Sequence, residues 1–249
     1  MDYSKVKSEL SNVIEGEIFD DEETLKKYSR DASLLEVRPS LVIWPKNKED
    51  IKKVVRFVSE NKIKNPELSV TVRAAGSCMS GGSLNESIIL DINKYLNSVS
   101  IDKEKKEATI EPGIFYRDFE VETLGRGLIL PCYTASKNLC ALGGMIGNNA
   151  AGEKTLQYGK MENFVKEVRM VLSDGEEYTF KPLSRVDALA KSHENTAEGE
   201  VYEKILKILD ENRELIKEAK PKVSKNSAGY YLWNIEHDGM IDLVKVIVG

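Results

Sequence analysis

The sequence predicts an α+β fold in two subdomains: a small parallel βαβ unit, then a larger unit of antiparallel strands with flanking helices. Three observations carry this reading. Residues 40–44 (SLVIW) and 69–73 (SVTVR) are apolar strands on either side of a helical segment, a strand–helix–strand unit that should be parallel and right-handed. Two later stretches alternate apolar and polar residues about a turn, the pattern of a hairpin. Finally, ten of the 17 glycines fall between residues 76 and 152. Such a concentration means tight turns or close approach of the backbone to something.

The elements follow in order. The opening MDYSKVKSELSN is polar and helical in character, and Asp20 with Glu23 reads as a capping pair for a short helix through Tyr28. In the segment 48–60, Ile51, Val54, Val55 and Val58 recur at i, i+3, i+4 and i+7, so one helical face should meet a core. SIILDI (87–92) is a strand, and 97–113 is a hairpin about DKEKK. Residues 115–124 suit a helix closed by Gly125, and 164–180 suit a second hairpin with Asp174-Gly175 at its turn. Residues 197–217 form a charged amphipathic helix with Ile205, Leu206, Ile208 and Leu209 inward. MIDLVKVIVG (240–249) reads as a helix running into a strand, and an ending on an apolar half-strand suggests a truncated chain. The expected layout is an N-terminal helical segment over 1–34, a first subdomain over about 35–95 and a second over about 96–249.

Composition narrows the function. With 36 basic and 41 acidic residues the net charge is −5, which argues against a general nucleic-acid binder. No apolar run approaches the roughly 18 residues of a membrane span, and the N-terminus has no apolar signal-peptide core. The expectation is therefore a cytoplasmic protein. Cys78, Cys132 and Cys140 are odd in number and lack metal-ligand spacing, so neither a disulfide framework nor a metal site is indicated. His193 and His237 sit in polar runs and read as solvated, leaving no candidate catalytic base.

Two glycine-rich loops, 73–83 and 142–152, could each cradle an anion, because backbone N–H groups bind phosphate when no side chain intrudes. Two such loops suit a pyrophosphate; two tight loops packed on each other fit the composition equally well. Ligands of a βαβ unit sit beyond the carboxyl ends of its strands, and 73–83 directly follows the second strand. No GxGxxG joins a strand to a helix. Gly147-Asn-Asn-Ala-Ala-Gly152-Glu153-Lys154-Thr155 misses a Walker A loop, because Glu153 separates the second glycine from the lysine.

These residues carry a resemblance. RAAGSCMSGGSLNESIILDINKYLN (73–97) resembles the pyrophosphate loop of the FAD-linked oxidase family, the vanillyl-alcohol-oxidase type with a PCMH-type FAD-binding fold. ILPCYTASKNLCALGGMIGNNAAGEKTLQYGKMENFVKEVRMVLSDGE (129–176) resembles its second FAD segment. YSRDAS (28–33), EPG (111–113) and KNSAGYYLWNI (225–235) are similar as well, so the likeness spans roughly 28–249. Within the family it is to the glycolate oxidase, D-lactate dehydrogenase and D-2-hydroxyglutarate dehydrogenase branch.

The resemblance implies FAD held between the subdomains. Arg73, Ala75, Gly76, Ser77, Met79, Ser80 and Gly81 would line the first phosphate loop. Pro131, Thr134, Ala135 and Ser136 would approach the isoalloxazine, while Gly143, Gly144, Ile146, Gly147, Asn149, Ala151 and Gly152 would wrap the diphosphate and ribityl chain. Arg73 could instead be a solvated strand-end residue. Some relatives bind flavin covalently through a His four residues after the arginine; Ser77 stands there, so FAD should be noncovalent. Ala74 replaces a common Gly. The implied reaction moves a hydride from the α-carbon of a D-2-hydroxy acid to flavin N5. Electrons would then leave to a quinone, cytochrome, iron–sulfur protein or electron-transfer flavoprotein, in the cytoplasm or at the inner membrane surface. The family's substrate cap domain is missing from this chain, and with it any histidines or metal that bind the hydroxy acid. The alternative is a flavin-carrying module that works only beside a partner subunit supplying the substrate site.

Overall fold

The computed structural model describes residues 1–223, 226, 229, 230 and 232–249. Of the KNSAGYYLWNI stretch, Lys225, Ser227, Ala228 and Tyr231 lie outside the described residues.

The first unit is a four-stranded sheet. Helix α1 (Tyr3–Ser11), strand β1 (Glu17–Phe19) and helix α2 (Glu22–Tyr28) lead into β2 (Leu41–Trp44), α3 (Lys48–Lys62), β3 (Val70–Arg73) and β4 (Ile88–Asp91). The strand order is β1-β2-β4-β3. β2 and β3 each pair parallel with β4, which lies between them, and β1 pairs antiparallel with β2. Alternate strand residues point to opposite faces. Leu41, Ile43, Ile88 and Leu90 accordingly meet Val6, Leu10, Val54 and Val58 from α1 and α3 on one face. Val42 and Ile89 meet Leu25 and Tyr28 from α2 on the other. The N-terminal segment thus shares this core through α1, β1 and α2. The cap of α2 is Asp21, which accepts from the Thr24 amide; the expected Asp20 instead pairs with Lys7 at 2.6 Å.

The start of α3 is fixed by a buried carboxylate. Asp50 accepts from the Glu15 amide at 2.8 Å and the Lys46 amide at 2.9 Å, and its own amide donates to the Asn47 cap at 3.0 Å. The Asp50→Ala change leaves two amides without their acceptor, at about 1–3 kcal/mol each when buried. We expect a loss of about 2–4 kcal/mol in urea unfolding, whereas Asp20→Ala should change stability by under about 0.5 kcal/mol.

The second unit begins with the hairpin β5 (Val99–Asp102) and β6 (Glu107–Ile110), then α4 (Tyr116–Leu124), α5 (Leu142–Gly147), α6 (Thr155–Tyr158) and a 3₁₀ turn at Met161–Asn163. A second hairpin, β7 (Val168–Val171) with β8 (Glu177–Phe180), is followed by β9 (Leu183–Ser184), α7 (Arg185–Ser192), α8 (Ala197–Glu211) and α9 (Arg213–Ala219). The chain finishes with β10 (Glu236–His237), β11 (Met240–Ile241) and α10 (Val244–Ile247). β11 pairs antiparallel with both β10 and β9. The core of this unit gathers Tyr116, Phe119, Leu142, Met145, Phe180, Tyr202, Leu206 and Ile235.

Two expectations are corrected here. The helix expected over 197–217 divides at Asn212, whose amide and side chain both bond the Ile208 carbonyl. Leu206 and Leu209 are buried, but Ile208 is 38% exposed. The order expected over 240–249 is reversed, with strand preceding helix. Met240 and Ile241 pair with Ser184 and Leu183, and Asp242 starts the helix by accepting from the Val244 amide at 3.1 Å.

Asp242 is itself buried, and burial raises its carboxyl above the ordinary 3.8. A raised folded pKa gives stability that is present below 3.8 and lost as pH rises through the folded value. Melting across about pH 4 to about pH 7 should therefore show the Asp242→Asn protein gaining on wild type as pH increases. Equal pH slopes would contradict this.

Candidate cofactor site

The site sits where the carboxyl end of the first sheet faces α5. The loop after β3 turns on two glycines in the left-handed region, Gly76 at φ +64° and Gly81 at φ +79°. The segment 28–35 props it from below. The Ala32 amide donates to the Gly76 carbonyl at 3.1 Å, and Ser83 Oγ donates to Asp31 at 3.1 Å. A Cβ at Gly81 would lie 2.6 Å from Leu35 Cδ1.

Arg73 lies under this loop. Its guanidinium sits 5.1 Å from the centre of the Tyr28 ring and donates to the Tyr28 carbonyl at 3.3 Å. A Cβ on Gly76 would come within 2.5 Å of Arg73 Nη2. The side chain therefore lies half-buried as a positive charge against the turn. Tyr28 is anchored in turn: its hydroxyl donates to Asp91 at 2.6 Å and accepts from Trp44 Nε1 at 2.9 Å. Burial, then the Asp91 contact, pushes this phenol far above its ordinary range.

Within the loop, Met79 is 83% exposed and Ser80 is exposed, while Ala75, Gly76, Ser77 and Gly81 are half-buried. Among the described residues, none of the amides of Gly76, Ser77, Cys78 and Met79 donates a hydrogen bond within the chain. Burial alone would raise the Cys78 thiol, but the Ser80 hydroxyl and the Ser80 and Gly82 amides outweigh it and hold the thiol below its ordinary range. The backbone there favours negative charge.

The facing element is a short helix almost without side chains on one side. The Leu142 and Gly143 amides donate to the Ile114 and Pro112 carbonyls at 2.9 and 2.8 Å, pinning α5 to the turn after β6. A Cβ on Gly144 would lie 3.7 Å from the Ala74 Cβ, so α5 meets the first loop there; a Cβ on Gly147 would meet nothing within 4 Å. Gly143 and Gly152 differ, since a Cβ at either would strike backbone: Pro112 O at 2.6 Å and Tyr133 O at 1.7 Å.

The last contact joins the 147–152 turn to the 131–136 segment. There Thr134 Oγ1 lies 2.9 Å from Ser136 Oγ and 3.5 Å from Cys140 Sγ. Pro131 is half-buried, Ala135 is exposed, and Ile146 and Ala151 are half-buried. Asn149 is buried at φ +43°, with Oδ1 accepting from the Glu162 amide at 3.0 Å. Three of the sequence-predicted segments therefore converge through Ala74–Gly144 and Tyr133–Gly152. Tyr28, Asp31, Asp91 and Glu162 support them and were not singled out from sequence; the signals were YSRDAS and the acid closing SIILD.

Small residues, bare turns with donor amides and a half-buried cation beneath them fit an extended, doubly anionic ligand with room along α5. Such a two-lobed arrangement defines a dinucleotide-cofactor-binding domain. The family profile described as FAD binding domain matches residues 39–181, and the chain belongs to that family. FAD is thus the cofactor of this family.

The comparisons extend this. A D-2-hydroxyglutarate dehydrogenase from Pantoea ananatis is 30% identical over 224 residues, covering 89% of this chain and 22% of that protein. The glycolate oxidase subunit GlcD of Bacillus subtilis is 29% identical, over 69% of this chain and 36% of its own. The 6-hydroxy-D-nicotine oxidase of Arthrobacter nicotinovorans superposes with a TM-score of 0.57 at 25% identity, covering 68% of this chain and 36% of that one. This chain therefore spans about a fifth to a third of the length of these proteins. Among the described residues, no helix is long and apolar enough to cross a membrane.

Proposed function

We infer that the chain is the FAD-carrying part of an oxidoreductase that dehydrogenates a D-2-hydroxy acid of the lactate, glycolate or 2-hydroxyglutarate type. The observation that supports it best is the meeting of two glycine elements at Ala74–Gly144 inside the matched span, together with relatives named for that chemistry. Bound FAD supplies a two-electron acceptor for the substrate carbon. The chain's own residues bind and orient it. The 76–81 turn and Arg73 hold the diphosphate, α5 gives a side-chain-free wall, and 131–136 flanks the ring system. Ser77 offers no imidazole for a covalent link, so attachment is noncovalent.

A second reading is a flavin module completed by a partner subunit that supplies the substrate site. His193 is exposed beyond α7, and His237 is exposed with Nδ1 3.1 Å from the Asn234 carbonyl. Neither stands at the cradle's contacts, so the group that takes the hydroxyl proton is proposed to come from further polypeptide. The compartment proposed is the cytoplasm or the inner membrane surface, with a quinone or an electron-transfer protein as acceptor.

Thermal melts with FAD, FMN and ADP test the cofactor reading. FAD at about 100 times its Kd should stabilise by about 2.7 kcal/mol, FMN far less; equal shifts for FAD and FMN would contradict a dinucleotide site. Anaerobic mixing of the FAD-loaded protein, together with the further polypeptide that supplies the base, with D- and L-2-hydroxy acids tests the substrate. Bleaching by D-acids and not L-acids supports the hydroxy-acid assignment, whether that polypeptide is joined to the chain, as in the first reading, or is a separate partner, as in the second. Bleaching by neither enantiomer defeats it.

A further inference from the structure

The two units touch at a second place that the cofactor reading does not use. The turn of the β7–β8 hairpin lies on the first half of α3. Gly175 is buried at φ +75°, and a Cβ there would be 2.7 Å from Arg56 Cβ and 2.9 Å from the Lys52 carbonyl. Charges of opposite sign ring this contact. Glu176 pairs with Arg56 and, at 3.1 Å, with Lys52, which also reaches Glu49 at 3.4 Å, while Glu177 pairs with Lys48 at 2.6 Å.

Topology gives this contact leverage. β2 and β3 are parallel, so α3 starts at the same end of the sheet at which the glycine loop follows β3. The second unit therefore meets the first at Ala74–Gly144, at that end, and again along α3 at Gly175. A hinge is fixed by two such points and freed by the loss of one.

We propose that the hairpin turn is an electrostatic latch that sets the angle between the two units and thereby how tightly the cofactor cleft closes. This rests on the cleft being the FAD site. The pairs are partly exposed, so each is individually weak and screened by salt; their joint action on a turn packed flush against α3 sets the unit's angle.

The test is a charge reversal, Lys52→Glu with Arg56→Glu, which keeps both Cβ atoms, and a restoring variant that adds Glu176→Lys. FAD affinity is read by flavin fluorescence between about 50 and about 500 mM NaCl. The reversal should weaken binding about tenfold at low salt, salt should strengthen rather than weaken it, and the restoring change should recover most of the loss. Far-UV melts should stay near wild type, as both units keep their cores. Wild-type affinity and wild-type salt dependence in the reversed protein would overturn the proposal. If the reversed protein fails to fold, the restoring variant decides: FAD affinity below wild type by tenfold or more would overturn the latch. If wild type takes up no FAD, the cofactor reading fails by itself. The latch is then judged by hydrogen exchange at 172–176 and 74–82, where unchanged protection on reversal would defeat it.

Discussion

Replacing Gly147 with valine should leave the chain folded and strip it of FAD. Gly147 is exposed at the end of α5, its φ is outside the positive range, and a Cβ there meets nothing within 4 Å. A Cβ at this position therefore meets no other part of the protein. It stands in the room a dinucleotide would need along α5, and forcing a side chain into a filled site costs about 1–3 kcal/mol or more. We expect at least a 30-fold loss of FAD affinity, or about 2 kcal/mol, with an unchanged far-UV spectrum and a melting point within a few degrees. Gly147 serves this test better than Gly143 because valine at Gly143 would collide with the Pro112 carbonyl. A variant that retained FAD at wild-type affinity would remove α5 from the site.

The second large effect is on folding. Gly152→Ala places a Cβ 1.7 Å from the Tyr133 carbonyl oxygen and 2.8 Å from its carbon, atoms that cannot rotate away. The turn that carries 147–152 must separate from 131–136, uncoupling two of the three converging segments. The expected loss is about 3 kcal/mol or more, measured as a fall in the urea midpoint at constant slope. Gly127→Ala is the control. It has a positive φ, at +73°, which Gly152 does not, and a Cβ there meets nothing, so strain alone should cost about 1 kcal/mol. Similar losses at the two positions would show that the Tyr133 contact is not what demands glycine at 152.

Much of the first unit was legible because its pattern is local. SLVIW and the Val54 and Val58 spacing each bury the residues that periodicity selects, SVTVR forms its strand although Val72 is left exposed, and the Asp174-Gly175 turn falls where an Asp-Gly pair between alternating runs places it. Other features depended on partners distant in sequence. β4 inserts between β2 and β3, an order no periodicity reports. β9, β10 and β11 are two residues each and exist because Leu183–Ser184 meets Met240–Ile241.

The glycines show the same division. Their concentration between 76 and 152 marked the region, but their roles are set by neighbours. Gly76 and Gly81 make the turn, Gly144 and Gly147 leave a wall bare, and Gly143 and Gly152 admit other backbone. Arg73 was expected either to line the phosphate loop or to be solvated at the strand end. Its guanidinium lies on Tyr28 beneath Gly76, a placement that depends on a tyrosine 45 residues earlier.

Noncovalent FAD between the two units is tested most directly by the visible spectrum of the purified protein, followed by identification of any flavin released on denaturation. Flavin absorption is expected in the folded protein, or its appearance after incubation with FAD and gel filtration, and release of intact FAD. A folded, colourless protein that passes through added FAD without retaining it would contradict noncovalent FAD binding by this chain.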